Sequence, residues 1–223
     1  MPAEREARGA CAAPHARGAA SRLRIGGFVP FTATDFPGAL AAVVFCQGCA
    51  WRCGYCHNPH LLPVRGDHGI EWATVTQFLE TRRGLLDAVV FSGGEPTLQH
   101  ALFDAMQAVK DLGFKVGLHT AGIYPKRLAR VLALVDWVGY DMKAAFDDYE
   151  AITRTPHSGA RARRSLELVL ASGVAHQFRT TLDTRMLSPA RLGALRAELE
   201  RYGIARHVLQ PCRETGPAAP LVP

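Results

Sequence analysis

Three cysteines stand at spacings that suit a metal or iron–sulfur site. Cys49, Cys53 and Cys56 belong to the run CAWRCGYC, and Cys46 lies just before it. Ferredoxin clusters and structural zinc sites usually take four protein ligands, whereas three thiolates leave one iron of a 4Fe–4S cube open to an exchangeable ligand. The run therefore predicts an open 4Fe–4S site. A zinc site completed by Cys46 or His57 is the alternative.

A glycine-rich turn follows an apolar run at residues 92–96, with the sequence SGGEP. Gly93 and Gly94 allow the backbone to approach a ligand closely and to offer amide donors, and Glu95 can accept a hydrogen bond from an ammonium group. An ordinary strand-to-helix turn would have the same composition. We interpret the segment as a ligand-binding turn because it follows a strand and lies downstream of the cysteine run.

Asp141 and Lys143 close another apolar run, separated by one residue. In an extended segment, side chains two residues apart point to the same face. Two charged groups inside a fold are costly unless they are paired, so they neutralise each other or bind a charged ligand. A purely structural ion pair is the alternative.

The elements that must position these residues alternate along the chain from about residue 23. Apolar, β-rich runs predict six strands at 41–45, 88–91, 114–119, 137–141, 176–181 and 207–210. Helical spacing between them is clearest at 98–112, 125–135 and 189–202. This alternation predicts an α/β fold with parallel strands, either a doubly wound sheet or an open, partial barrel. In both folds the chemistry lies at the carboxyl ends of the strands, where the polar segments fall.

Charge and cysteine distribution exclude several other classes. The formal net charge is +6, and half of it lies in the first 25 residues, so a nucleic-acid partner is not expected. No apolar stretch is long enough to span a membrane, and the clustered cysteines are unlike a disulfide framework. We expect a cytoplasmic protein with a disordered basic tail at 1–22, one catalytic domain at 23–211 and a loose tail at 212–223.

The cysteine run resembles the cluster motif of the radical S-adenosylmethionine superfamily, with Tyr55 as the aromatic residue before the last cysteine. The surrounding segments IGGFVPF, TDFPG, FCQGC and YCHNP are similar to those of the activating proteins of anaerobic ribonucleoside-triphosphate reductase. The resemblance runs from about residue 24 to 210. It implies a partial (β/α)6 open barrel that binds a 4Fe–4S cluster and S-adenosylmethionine.

The resemblance also implies roles for individual residues. Gly93, Gly94 and Glu95 would hold the amino group of the cofactor, and Asp141 and Lys143 would hold its carboxylate. Tyr55 would stack near the adenine or simply pack over the loop. The segment 119–122, HTAG, stands where relatives have Asp-Thr-Asn-Gly. His119 therefore replaces an acid, and either donates a hydrogen bond to the cofactor or ends a strand without such a role.

Three hypotheses for function follow. The first is an activase that makes a glycyl radical on a partner enzyme, with the large subunit of anaerobic ribonucleotide reductase as the favoured partner and flavodoxin or ferredoxin as electron donor. The second keeps the radical chemistry but gives it a small-molecule or peptide substrate. The third is an interaction protein that binds zinc or a cluster and has no enzymatic activity.

Overall fold

The computed structural model describes residues 18–66 and 69–212. Seven strands form one sheet in the order of the sequence. They are β1 (Ile25–Thr32), β2 (Ala41–Cys46), β3 (Ala88–Gly93), β4 (Lys115–Thr120), β5 (Trp137–Asp141), β6 (Ala175–Leu182) and β7 (His207–Pro211). Strands β2 to β7 pair in parallel, each with the next. The predicted parallel α/β fold is confirmed, and because β1 and β7 are the two ends of the strand order, the sheet is open.

The structure has one strand more than the sequence predicted. Strand β1 pairs antiparallel with β2, and its register shifts twice. Its sequence, IGGFVPFT, contains two glycines and a proline, which weaken strand propensity, and it lies at an edge of the sheet, where such residues are tolerated. It extends the six predicted strands without changing their parallel order.

Each parallel crossover contains at least one helix. The helices are α1 (Trp72–Glu80), α2 (Leu102–Asp111), α3 (Pro125–Val131), α4 (Tyr149–Thr153), α5 (Ser158–Ser172) and α6 (Pro189–Arg201). Two predicted helices are shorter in the structure. The one at 98–112 begins only at Leu102, after a separate 3₁₀ turn at Pro96–Leu98, and the one at 125–135 ends at Val131 and continues as a 3₁₀ turn. None of the helices in the described ranges is long and apolar enough to cross a membrane.

Two apolar clusters cover the two faces of the sheet. Alternate residues such as Val44 and Phe91 belong to the large core shared with the helices. The opposite side chains, including Val43 and Val90, form a smaller cluster with Phe36 from the loop between β1 and β2. Gly117 makes room for that loop, because a Cβ atom there would lie 3.0 Å from Phe36 Cδ2. The smaller cluster thus fills its face of the sheet, and the polar residues lie beyond it at the carboxyl ends of the strands.

The predicted tails fall largely outside the described residues, namely 1–17 and 213–223. Residues 18–20 form a helical turn in which Ala20 is fully buried, so packing begins before the predicted boundary at residue 23. At the other end, the Cys212 amide donates to the Leu182 carbonyl at 3.0 Å. Cys212 therefore packs at the end of β7. Cys11 lies outside the described residues.

Candidate active site at the carboxyl ends of the strands

The loop that carries the three cysteines begins where β2 ends and is fixed by hydrogen bonds on both sides. The Gln47 side chain donates to the carbonyls of His60 (3.1 Å) and Pro63 (2.7 Å). The Gly48 amide donates to the Leu61 carbonyl at 2.8 Å, and the Cys49 amide donates to the Leu62 carbonyl at 3.1 Å. Gly48 has a φ of +100°, which favours glycine at this turn. Hydrogen bonds to other parts of the protein therefore fix the shape of this loop.

All three predicted cluster ligands are partly buried. Burial raises the pKa of the Cys49 thiol to about 12 and also raises the pKa of Cys53. Iron binds the thiolate, so loading these positions must release protons, and the metal supplies the positive charge that holds the sulfurs ionised. This chemistry suits a site that is completed by a cationic metal group.

The zinc alternative requires side chains to converge on one ion, with each sulfur about 2.3 Å from it. Within residues 18–66 and 69–212, no group of three or more Cys, His, Asp and Glu side chains is arranged to hold a metal ion. Cys46 is fully buried on β2, and burial raises the pKa of its thiol, so it is part of the core as predicted. In a 4Fe–4S cube each thiolate binds a different iron, so three cysteines can surround the cube without meeting at a point. Three thiolates are the ligand set of the open cluster that the sequence predicts.

The turn after β3 packs directly on the cysteine loop. The Gly94 amide donates to the Cys46 carbonyl and the Glu95 amide to the Gly48 carbonyl, both at 2.9 Å. Gly93 has a φ of +113°, and a Cβ atom at Gly94 would lie 2.4 Å from the Gly48 carbonyl oxygen. Both glycines are needed for this close approach, and both line the cavity described below.

The carboxylate of Glu95 points into the protein, whereas the sequence predicted that it would accept a hydrogen bond from the amino group of the cofactor. It is fully buried, and Oε1 accepts hydrogen bonds from the Thr97 hydroxyl (2.6 Å) and the Thr120 hydroxyl (2.7 Å). The Thr97 amide also donates to Oε1, and the Ala121 amide donates to Oε2. Burial raises the pKa of Glu95, and these four donors oppose the shift by stabilising the carboxylate. Glu95 is not among the described residues that line the cavity, so it is not placed to bind an ammonium group directly. Its hydrogen bonds instead join the turn to the end of β4.

Asp141 and Lys143 face the same cavity, as their spacing predicted. The Lys143 Nζ lies 3.8 Å from Asp141 Oδ2, and Arg179 on β6 donates from Nε to Asp141 Oδ1 at 2.5 Å. Burial would raise the pKa of Asp141, but Arg179 and Lys143 outweigh it and hold that pKa at about 2. Asp141 thus faces two cations, and this group has a surplus positive charge that suits an anionic ligand such as a carboxylate. Arg179 reaches this group because it and Asp141 are register partners on neighbouring strands.

His119 lines the same cavity, but its ring is already engaged. Its Nε2 lies 2.9 Å from the Asp35 carbonyl oxygen, and its ring meets Trp137 edge to face at 5.5 Å. Burial lowers the pKa of His119 to about 4, so the imidazole is neutral at neutral pH. With a carbonyl as its partner, Nε2 carries the proton, and only Nδ1 remains as an acceptor. The structure thus fits a satisfied strand-end histidine better than a hydrogen-bond donor to the cofactor.

One open cavity brings the predicted residues together. Its volume is about 740 Å³, including the part open to solvent. Nine of the ten predicted site residues line it, all except Glu95: Cys49, Cys53, Cys56, Tyr55, Gly93, Gly94, His119, Asp141 and Lys143. Trp51, Ser92 and Thr181 also line it. Ser92 belongs to the predicted ligand-binding turn at 92–96, whereas Trp51 and Thr181 were not predicted. Thr181 could have been found from its position at a strand end, and Trp51 from its place inside the cysteine run.

Two residues that line this cavity each carry a buried polar atom with no hydrogen-bond partner in the described part of the protein. These atoms are the Nε1 of Trp51 and the hydroxyl of Tyr55, and within the described residues they are the only buried side-chain nitrogen or oxygen atoms in this condition. Buried polar groups in native proteins are almost always hydrogen-bonded, because leaving one unpaired costs its full desolvation. The cavity therefore fits a bound group that carries hydrogen-bond acceptors, as a cluster with S-adenosylmethionine does.

Comparison with known proteins agrees with this site. The family model described as the Radical SAM superfamily matches residues 43–189. A protein of Methanocaldococcus jannaschii named as a glycyl-radical enzyme activating enzyme is 29% identical over 170 residues, covering 73% of this chain and 70% of its own length. The pyruvate formate-lyase-activating enzyme of Clostridium pasteurianum is 35% identical over 125 residues, covering 53% of this chain and 52% of its own. The chain thus spans about half the length of that activating enzyme.

Solved structures share the fold at low sequence identity. Native anSMEcpe with bound AdoMet superposes with a TM-score of 0.60 at 15% identity, covering 75% of this chain and 49% of that one. QueE from Escherichia coli superposes with a TM-score of 0.50 at 13% identity, covering 84% of this chain and 93% of that one. The match of the family model over residues 43–189, which include all three cysteines, decides the assignment. The chain belongs to the radical SAM superfamily, whose enzymes use a 4Fe–4S cluster and S-adenosylmethionine.

Proposed function

We propose that the protein is a glycyl-radical-enzyme activase, which uses S-adenosylmethionine to generate a stable radical on a glycine of a partner enzyme. The carrying observation is the cavity in which three cysteines face a Gly-Gly turn and a charged Asp-Lys pair. The names of curated relatives from several organisms support the activase class. The predicted division into a catalytic domain at 23–211 with two tails remains part of this proposal.

When bound, the reduced cluster would supply the one electron that splits S-adenosylmethionine into methionine and a 5′-deoxyadenosyl radical, which would take a hydrogen atom from the glycine Cα and become 5′-deoxyadenosine. The chain's own residues bind and orient these groups. Cys49, Cys53 and Cys56 would hold three irons and leave the fourth for the cofactor's amino and carboxylate groups. Lys143, adjacent to Asp141, would attract that carboxylate. Gly94 keeps the turn against the cysteine loop, so that cofactor and cluster meet at a fixed distance.

The large subunit of anaerobic ribonucleoside-triphosphate reductase, the partner expected from the sequence, is one candidate. The segments IGGFVPF, TDFPG, FCQGC and YCHNP support it by resemblance. Pyruvate formate-lyase is an equal candidate, because several relatives bear the name of its activase. An acidic one-electron carrier of the flavodoxin or ferredoxin class would reduce the cluster in a reducing compartment such as the cytoplasm.

The test is anaerobic reconstitution with iron and sulfide, followed by dithionite and S-adenosylmethionine. Each candidate partner, reductase or lyase, is added separately, and one reaction receives neither. Electron paramagnetic resonance follows the cluster and the glycyl radical, and chromatography follows 5′-deoxyadenosine. We expect a glycyl doublet with one partner only, and its loss in Cys53→Ala. Cys46→Ala is the matched control, because it removes a thiol that lies in the core.

Two other outcomes distinguish the remaining hypotheses. Formation of 5′-deoxyadenosine without a glycyl radical on either partner would contradict the activase proposal and favour a small-molecule or peptide substrate. A protein that takes up zinc and does not cleave S-adenosylmethionine would favour a binding module. Dependence of cofactor cleavage on the partner separates the activase from enzymes with small substrates.

A further inference from the structure

The cysteine loop holds a buried hydrogen-bond donor that the proposed function does not use. Trp51 is 1% exposed and lies in the chain between Cys49 and Cys53. Its Nε1 has no hydrogen-bond partner in the described part of the protein. The only comparable atom in those residues is the Tyr55 hydroxyl, four positions further along the same loop. Both unpaired atoms thus belong to the loop that carries the cluster ligands.

Ring packing and backbone hydrogen bonds hold the indole of Trp51 in its buried position. Its ring packs edge to face on Tyr149, with 5.7 Å between centroids and 74° between planes. The backbone on either side is anchored, because the Cys49 amide donates to the Leu62 carbonyl and the Arg52 amide to the Thr153 carbonyl. Burying an N–H group costs its hydration free energy. No hydrogen bond offsets this cost unless a bound group supplies the missing acceptor.

The position of Trp51 indicates which bound group supplies that acceptor. Indole N–H groups only donate, and sulfur ligated to iron is rich in electrons and accepts hydrogen bonds. Trp51 and Tyr55 both line the cavity within the cysteine run, and the Tyr55 ring also lies 5.8 Å from the Lys143 ammonium, on the charged side of the cavity. The contact with Lys143 assigns the Tyr55 hydroxyl to the charged groups and leaves the Trp51 donor for the cluster.

We propose that the Trp51 Nε1–H donates a hydrogen bond to a sulfur atom of the iron–sulfur cluster and is a positioning residue that tunes the cluster's potential. The reduced cluster carries one more negative charge than the oxidised one, so the hydrogen bond stabilises the reduced form more strongly. Trp51 thus raises the midpoint potential and makes the cluster easier to reduce by a biological carrier. This inference rests on family membership and is independent of the partner enzyme.

The first test uses the unmodified sequence. Wild-type protein is labelled with nitrogen-15 in its tryptophan indoles, reconstituted and reduced, and the cluster is examined by pulsed electron paramagnetic resonance. The chain has three tryptophans, and of these only Trp51 lines the cavity. We expect a nitrogen-15 hyperfine coupling at the cluster, and an exchangeable proton coupling that disappears in deuterated buffer. Absence of the nitrogen-15 coupling would overturn the proposal without any variant having to fold.

The second test compares Trp51→Phe with Trp72→Phe by a redox titration of the cluster. Trp72 is also buried, at 5% exposed, and stacks on Phe91 outside the cavity, so it controls for the loss of an indole from the core. We expect Trp51→Phe to keep its iron but to show a lower midpoint potential and no nitrogen-15 coupling, while Trp72→Phe matches wild type in both. An unchanged potential in Trp51→Phe, or weaker cofactor binding in place of a potential shift, would refute a bond to the cluster.

Discussion

Replacing Gly93 by alanine tests how closely the cofactor turn must approach the cysteine strand. Gly93 and Cys46 are register partners on β3 and β2, and an added Cβ would lie 2.4 Å from the Cys46 nitrogen and 2.5 Å from its oxygen. Backbone atoms cannot move aside as a flexible side chain can, so the strands must separate, at a cost of about 1–3 kcal/mol. The φ of +113° adds about 1–3 kcal/mol of strain for any residue with a side chain.

Gly113→Ala is the matched control for this substitution. Gly113 has a φ of +92°, yet no atom lies within 4 Å of an added Cβ. It therefore carries the conformational strain without the steric clash. We expect Gly93→Ala to lower the free energy of unfolding by about 2–6 kcal/mol and Gly113→Ala by about 1–3 kcal/mol. Denaturant unfolding of the metal-free proteins measures both changes.

The difference in stability and cluster content between Gly93→Ala and Gly113→Ala shows whether close approach of the strands shapes the site. The turn donates hydrogen bonds to the carbonyls of Cys46 and Gly48, so separating the strands also displaces the cysteine loop. Gly93→Ala should consequently bind less iron and sulfide after reconstitution, whereas Gly113→Ala should bind the wild-type amount. Equal destabilisation of the two variants, with full cluster content in both, would refute the reasoning that close strand approach shapes the site.

Three further predictions follow from the same contacts. Cys46→Ala should lower the free energy of unfolding by about 1 kcal/mol, because one core atom is lost, and should retain the cluster. Cys53→Ala should lose the cluster. Iron analysis of the two reconstituted variants separates these outcomes, and equal loss of iron would place Cys46 among the ligands. The pKa of Asp141 lies near 2, below its ordinary 3.8, so its ion pairs stabilise the fold above pH 3.8 and are lost as the pH falls through 2. Unfolding measured against pH should show at most about 2 kcal/mol of this loss in wild type and none in Asp141→Asn, and identical curves would contradict the pairing. Thr120→Val removes one donor to the buried Glu95 and should cost about 1–3 kcal/mol in denaturant unfolding, so a neutral result would show that the carboxylate does not depend on it.

The central parallel strands, β2 to β5, could be predicted from sequence because most of their residues are buried on both faces. Strand β2 reads AAVVFC and strand β3 reads AVVFSG, nearly continuous apolar runs that end at the polar rim. Strand β1 could not be found in the same way. Its burial alternates only in part, and its glycines suit the register shifts of an edge strand, which are tertiary features.

The site was predictable in its residue types but not in the direction of every side chain. Spacing alone identifies the cysteines and places Asp141 and Lys143 on one face. The direction of the Glu95 side chain depends on the backbone of the turn and on donors 25 and 26 residues away, which no local pattern reveals. The unpaired Trp51 likewise follows from packing around the loop, since only the folded structure shows which acceptors it lacks.

The short turn from Gly93 to Glu95 connects three strand ends. Its amides bond to the carbonyls of Cys46 and Gly48, and the Glu95 carboxylate accepts from Thr120 and Ala121 at the end of β4. These bonds are made by protein atoms alone, so the cysteine loop and the ends of β3 and β4 are fixed to each other without any bound group. Pre-organisation of this kind reduces the ordering cost of binding and sets the distance between two reacting groups. Under the proposed function, Glu95 would therefore contribute by holding the turn against the end of β4, and its complete burial keeps these hydrogen bonds out of competition with water.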